Sequence, residues 1–298
     1  MKTQRGFWSF LLLALLLAGC RTPPAARTAA ANKHSLWTVK GQHATVYLLG
    51  SVHVLKPSDY PLAAPIETAF SNAAVVVFET DIDKLQGAGA QLELLSKGSL
   101  PPGQTLAGAV SPALYNQFTN RAAQAGLPLF LVQRLQPALA AFMLQAFQLL
   151  QLGLDPDAGV DVRFHKLARA QHKTIIPLET VAFQENLVTS FSKEEGELIL
   201  KSALDEFDTM AKEWDQMLKA WKVGNDRALD QLLNSMRREA PAVFKRLVTD
   251  RTASWVPKVM DLARGDKNAI VIVGAGHLVG KAGLVQLLRK KGFKVTQD

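Results

Sequence analysis

Read as apolar and polar positions, the chain alternates short β-branched runs with longer stretches of helical spacing. Leu36–Lys40 and Ala44–Gly50 flank Gly41-Gln42 and predict a hairpin. Ala73–Phe78, Lys173–Leu178 and Ala269–Val273 have the Val/Ile content of strands buried in a parallel sheet. Phe293–Val295 reads as one more strand. Helical spacing covers Ala63–Asn72, Ser111–Ala125 (capped by Ser111, with Pro112 first), Gly159–Ala170 and Gly280–Lys291, where Leu284, Leu287 and Leu288 form the apolar face. Leu131–Leu152 is long and almost uncharged, but Pro137 and the glutamines Gln136, Gln145, Gln148 and Gln151 assign it to a buried or groove-lining helix, not a membrane span.

From Ser192 to Arg264 there is no strand-like run. Ser192-Lys193-Glu194-Glu195 has the form of a capping box. Asp205–Trp221 is amphipathic, with Phe207, Trp214, Leu218 and Trp221 near one face. Gly224-Asn225-Asp226 breaks that helix, and Pro241 opens another that carries Arg246 and Arg251. The whole pattern predicts an α/β fold: a small, mainly parallel sheet flanked by helices, with an α-helical cap at about 192–264 inserted between core strands.

The N-terminus changes the picture. Lys2 and Arg5 precede an apolar core, Phe7–Ala18, that is too short for a membrane-spanning helix of about 20 residues. Leu17-Ala18-Gly19-Cys20 resembles a bacterial lipoprotein box, which would make Met1–Cys20 the signal peptide and Cys20 the lipidated first residue of the mature chain. The plainer alternative is a secretory signal with an incidental cysteine. Arg21, not Asp, follows Cys20; by resemblance to sorting in enteric bacteria, this implies the outer membrane. Residues 21–34, rich in Pro and Ala, read as a flexible tether. The rest, 35–298, reads as one domain.

Composition mostly excludes. A single cysteine leaves no intramolecular disulfide and no thiolate metal site. The net charge of +8 suits an anionic membrane surface, but the basic residues are dispersed and no nucleic-acid motif accompanies them. Gly274, Gly276 and Gly280 have the spacing GxGxxxG, not that of a dinucleotide fingerprint, and Ala275 and Ala282 spoil a phosphate loop at Gly280-Lys281. No nucleotide is expected.

Four apolar runs end in residues able to bind a metal or move a proton: His53, Glu79, Glu179 and His277. Two of these ends share the form Gly-x-x-His, as Gly50-Ser51-Val52-His53 and Gly274-Ala275-Gly276-His277. Neighbouring parallel strands would bring all four to one sheet edge, where open α/β sheets bind ligands. Two imidazoles and a carboxylate suit a divalent transition metal such as Mn, Co, Zn or Fe. Singly, each residue has a bland alternative: Glu79 and Glu179 as helix caps, Asp161 and Arg251 as a structural ion pair. His34, His43, His165 and His172 have no matching context and read as surface residues.

The segments 36–62, VVVFETD (75–81), 159–180, 246–259 and 271–293, with the paired Gly-x-x-His motifs, resemble the bacterial TraB/GumN proteins, relatives of the Tiki metalloproteases. The resemblance implies a metal-dependent hydrolase, with peptidase activity implied by the Tiki relatives. It carries the metal-site histidines to His53 and His277, the strand-end glutamate to Glu79, and further site residues to Asp161, Glu179, Thr180 and Arg251. Phe183 departs from the pattern where relatives carry an acid before the glutamine, here Gln184.

The leading expectation is therefore a lipid-anchored, periplasm-facing metallohydrolase acting on peptides or proteins. His53, Glu79 and His277 would hold the metal. Glu179 or Asp161 would act as base or orient a ligand, and Arg251 would hold a substrate carboxylate or an oxyanion. Two other classes compete: an envelope lipoprotein that binds a peptide or small ligand without turnover, and a scaffold whose polar strand ends only cap helices.

Overall fold

The computed structural model describes residues 33–298. The expected signal segment, Cys20 and most of the expected tether lie outside the described residues. His34, placed at the tether's end, donates its backbone N–H to Asp298 O at 2.6 Å and so belongs to the folded body.

One six-stranded sheet organises the chain, in the order β4-β3-β5-β2-β1-β6. The strands are β1 (Leu36–Lys40), β2 (Thr45–Ser51), β3 (Val75–Phe78), β4 (Thr174–Pro177), β5 (Ala269–Gly274) and β6 (Lys294–Gln297). The pairs β2–β5, β5–β3 and β3–β4 are parallel, while β1 runs antiparallel to both β2 and β6. The sheet is mainly parallel and flanked by helices, as the run pattern predicts. β5 lies at the centre of the parallel part, and all six of its residues are buried. That placement explains its unbroken apolar sequence: both faces are covered.

Helix Ala64–Asn72 packs on β5, helix Val160–Ala170 on β3 and β4, and helix Asp250–Arg264 on β2. From Lys193 to Arg264 every described element is helical, and helix Lys193–Asp205 packs along helix Pro137–Gln151. The latter buries eleven of its residues, so most of the apolar 131–152 stretch is core, with Leu131 and Leu150 exposed. Among the described residues, no helix is long and apolar enough to cross a membrane.

Three local expectations are corrected. The Asp205–Trp221 stretch is not one helix: it ends at Asp205, turns through 206–209 and resumes at Met210–Lys222. Its buried face is Met210, Trp214, Met217 and Trp221, at helical spacing, with Phe207 and Leu218 only half-buried. The last helix begins at Leu284, not Gly280. Gly280 has φ +77°, where a side chain would be strained, and a Cβ there would come within 2.2 Å of Asp230 Oδ1. His165 is buried, not at the surface. It lies on the inward stripe Val160, Asp161, Phe164, His165, Ala168 and packs edge-on against Phe78. His43 and His172 are exposed and His34 is half-buried.

Candidate functional site

The four parallel strands end side by side, so residues from four distant parts of the chain gather at one edge. His53 follows β2, Glu79 follows β3, Glu179 lies two residues past β4, and His277 closes the 3-10 turn Ala275–His277 after β5. The bland reading of the glutamates fails. Helix Ile82–Leu85 is capped by Asp81, whose side chain accepts from Lys84 N, and helix Val181–Thr189 by Thr180, which accepts from Phe183 N. Both glutamates are left free to face the edge. Thr180, a family-pattern residue, is a helix cap here.

Asp161 and Arg251 do not pair with each other. Asp161 Oδ2 lies 3.3 Å from His53 Nδ1, an ion-pair distance that is not aligned as a hydrogen bond. Its Oδ1 accepts from Ser51 Oγ at 3.0 Å, so the residue that ends β2 fixes the carboxylate beside its own histidine. Arg251 lies between the two glutamates. Its Nη2 donates to Glu79 Oε2 at 2.5 Å and to Glu179 Oε2 at 2.8 Å, and its Nε donates to Glu179 Oε1 at 3.0 Å. Such fork-shaped, charge-assisted contacts are the strong kind. The remaining nitrogen, Nη1, donates to Leu247 O at 3.2 Å. Leu247 belongs to a π-helical segment, Lys245–Thr249, directly before the helix that carries Arg251. Irregular turns of this kind often occur at functional sites.

Hydrogen bonds settle the His277 tautomer. Thr252 Oγ1 donates to Val248 O at 2.7 Å, so its oxygen is free to accept from His277 Nδ1–H at 2.8 Å. His277 Nε2 is then the lone-pair nitrogen, and Arg251 Nη1 approaches it to 3.3 Å. The ring is tilted against Trp255, with centroids 4.5 Å apart.

The charges follow from these partners. Burial alone would lower the His53 pKa, but the Asp161 carboxylate, with Glu79 behind it, more than offsets that and raises it to about 9. Burial and then the neighbouring guanidinium push His277 down to about 3. Burial would raise Glu79, yet Arg251, the histidines and the Gly274 N–H bring it down to about 2. Gly274 N donates to Glu79 Oε1 at 2.7 Å.

Gly274 also marks where the side chains converge. A methyl group on its Cα would lie 3.3 Å from Glu79 Oε1, 3.5 Å from His53 Nε2 and 3.6 Å from His277 Cδ2. His53, Glu79 and His277 are residues of metal-ligating type that face one space. Each histidine has its Nδ1 on an outer partner, Asp161 or Thr252, the usual way a protein orients imidazole ligands. Among the described residues, no group of three His, Cys, Asp or Glu closes to metal-holding distances. Arg251 meanwhile contacts both Glu79 and His277. Next to His53 and Glu79 is a cavity of about 30 Å³, also lined by Ser51, Asp161 and Gln184. It has room for one or two waters at about 10–15 Å³ each.

Sequence reasoning gathers His53, Glu79, Asp161, Glu179, Arg251 and His277, and the structure brings all six into this region. It does not pick out four others. Gln184 Nε2 reaches both Glu79 Oε2 at 3.4 Å and Glu179 Oε2 at 3.1 Å. Trp255 Nε1 donates to Glu179 Oε1 at 2.9 Å. Thr252 and Ser51 hold His277 and Asp161. The spacing from Arg251 to Trp255, one helical turn, the position of Ser51 inside a Gly-x-x-His motif and the place of Gln184 as the glutamine of the resemblance pattern are the signals that point to them.

Residues 35–297 match the model of the TraB/PrgY/gumN family. The uncharacterized protein YbaP of Escherichia coli (strain K12) is 26% identical over 245 residues, covering 82% of this chain and 87% of that protein, and YbaP of Shigella flexneri gives the same figures. No solved structure matches. With the match spanning nearly every described residue and both Gly-x-x-His motifs, the chain belongs to the TraB/PrgY/gumN family.

Proposed function

We propose that this edge is the reacting centre of a metal-dependent hydrolase that cleaves peptide bonds in the bacterial cell envelope. The supporting observation is the convergence of His53 Nε2, Glu79 Oε1 and the His277 ring around Gly274. His53, Glu79 and His277 would hold a divalent transition metal. When bound, the metal supplies Lewis-acid polarisation and an acidified water.

The other roles belong to the chain. Asp161 holds His53 with Nε2 turned inward, and Ser51 holds Asp161. Glu179 is a positioning residue: its two oxygens are taken by Arg251, Trp255 and Gln184, which makes it a poor base and a good anchor for the guanidinium. Arg251 brings a fixed positive charge to the space where a tetrahedral oxyanion would form. The Leu17-Ala18-Gly19-Cys20 sequence supports a location in the envelope: lipid on Cys20 would anchor the centre facing the periplasm, and Arg21 after it favours the outer membrane. Peptides or proteins are the substrate class.

Elemental analysis of the purified chain beside His53→Ala/His277→Ala tests this. About one equivalent of a transition metal in the wild type, lost in the double variant along with peptide hydrolysis, is the expected result. No metal in either after reconstitution with Mn, Co and Zn would overturn the metal centre. The same groove would then be a site of ligand capture.

A further inference from the structure

The small cavity beside His53 and Glu79 carries polar atoms that nothing answers. Its volume is about 30 Å³, and Phe78, Ile82, Leu85, Val162, Ile272 and Val273 form its apolar wall. Two residues of its polar lining, Thr80 and His53, have a buried atom each, Oγ1 and Nδ1, that makes no hydrogen bond to any described residue. Thr80 is only 4% exposed. A threonine this close to a helix start often serves as its cap. Here Asp81 does that for helix Ile82–Leu85, by accepting from Lys84 N. The Thr80 hydroxyl is left to the cavity.

Burying a hydroxyl without a partner is costly, and such groups in native folds are answered by a protein group or by ordered water. This cavity has room for a water, and a water there finds the two to four polar partners it requires. Thr80 Oγ1 can both donate and accept. Asp161 Oδ1 is taken by Ser51 Oγ, while Oδ2 is turned towards His53. The Glu79 oxygens are taken, Oε1 by Gly274 N and Oε2 by Arg251 and Gln184. His53 Nδ1 is the remaining partner. It lies 3.3 Å from Asp161 Oδ2 without being aligned to it, so the carboxylate attracts the ring but does not direct its N–H. On the other side of the edge, Thr252 makes the corresponding contact to His277 Nδ1 directly, at 2.8 Å. On the His53 side a threonine is also present, and it shares a water-sized cavity with the ring.

We propose that this cavity binds one ordered water, held by Thr80 Oγ1, that accepts from His53 Nδ1–H and donates to Asp161 Oδ2. Thr80 is then a positioning residue, which fixes the His53 ring through the water. The assignment goes beyond the hydrolytic reading above and does not depend on it.

The test uses the full-length protein beside Thr80→Val, which exchanges the hydroxyl for a methyl group, and Thr80→Ser, which keeps the hydroxyl. Crystallography reads the cavity, urea denaturation reads stability, and NMR follows the Nδ1-bound proton of the His53 ring. The wild type and Thr80→Ser are expected to show one density peak at hydrogen-bond distance, about 2.7–3.2 Å, from both the residue-80 hydroxyl and His53 Nδ1. In Thr80→Val the peak is lost, the Nδ1–H proton exchanges faster with solvent, and the folding equilibrium constant drops about fivefold. The sign of that change is decisive, because replacing a hydroxyl that has no partner by a methyl group leaves stability unchanged or raises it. Thr80→Val at or above wild-type stability, a wild-type cavity without density, or a His53 Nδ1–H signal that Thr80→Val does not move would each overturn the water. If Thr80→Val does not fold, the wild-type density and the Nδ1–H signal of Thr80→Ser still decide. A wild type that shows the peak but never cuts a peptide keeps the water and loses the hydrolytic reading.

Discussion

The two Gly-x-x-His motifs are the same four-residue device in opposite electrical settings. Each puts an imidazole just past a central parallel strand, at the same sheet edge. At His53 the partner on Nδ1 is a carboxylate, Asp161, and the ring holds its proton up to about pH 9. At His277 the partner on Nδ1 is a hydroxyl, Thr252, and a guanidinium faces Nε2, so the ring stays neutral down to about pH 3. The motif fixes where the side chain stands. Its charge is set by elements that arrive from elsewhere: helix Val160–Ala170 for one, helix Asp250–Arg264 for the other.

Removing the guanidinium breaks the comparison most severely. Arg251→Leu leaves Glu179 buried without its cation and Glu79 with His53 alone, and an uncompensated buried charge costs about 3–5 kcal/mol. Urea denaturation should show a loss of that size. The His277 pKa should rise from about 3 as the opposing charge disappears, read from its ring signals by NMR. A loss under about 1 kcal/mol would mean the Glu79 carboxyl is already neutral, against its low pKa.

A pH titration of stability separates the two histidines without any mutation. In the unfolded chain both titrate near 6.5. Between 6.5 and about 9 the folded protein keeps the His53 proton that the unfolded chain has lost, so stability is complete below 6.5 and falls as pH rises to 9. Only a tenth of the His53 side chain is exposed, so screening removes little, and the fall should approach about 3 kcal/mol. His277 acts in the other direction. Between 6.5 and about 3 the unfolded chain takes up a proton that the folded ring refuses, so stability falls as pH drops through that window. Glu79 adds to the acid limb, losing its contribution below 4.5 and down to about 2. The maximum should lie near pH 6.5. In Asp161→Asn the alkaline limb should flatten while the acid limb remains; an unchanged alkaline limb would remove Asp161 as the cause.

The legible part of this site follows from strand geometry. A buried run such as Val75–Phe78 or Ala269–Val273 announces its own end, and the end of a parallel strand has one place to point. For that reason His53, Glu79, Glu179 and His277 could be grouped from sequence. The illegible part depends on pairing between helices whose register no local pattern encodes. Nothing near Arg251 shows that it would join Glu79 to Glu179 instead of meeting Asp161, and nothing near Gln184 shows that it bridges two carboxylates. His165 is a different failure. Its place on the stripe with Asp161, Phe164 and Ala168 is readable, but nothing in the sequence shows that Phe78 packs on it. The break at 206–209 had no glycine or proline to mark it.

The smallest change asks whether the outer partner of His277 is as necessary as that of His53. Thr252→Val keeps the shape and removes one oxygen that accepts from Nδ1–H and donates to Val248 O. Losing these two buried hydrogen bonds costs about 1 kcal/mol each, still under the Arg251 effect. The ring is still held by Trp255 and faced by Arg251. The fold should therefore survive with a small drop in urea midpoint, but the tautomer is no longer dictated, and Nε2–H becomes accessible. Nitrogen chemical shifts of the His277 ring should report a mixture where the wild type shows Nδ1–H alone. If the wild-type tautomer persists in Thr252→Val, Arg251 alone orders the ring, and the symmetry between the two outer partners, Asp161 and Thr252, is broken.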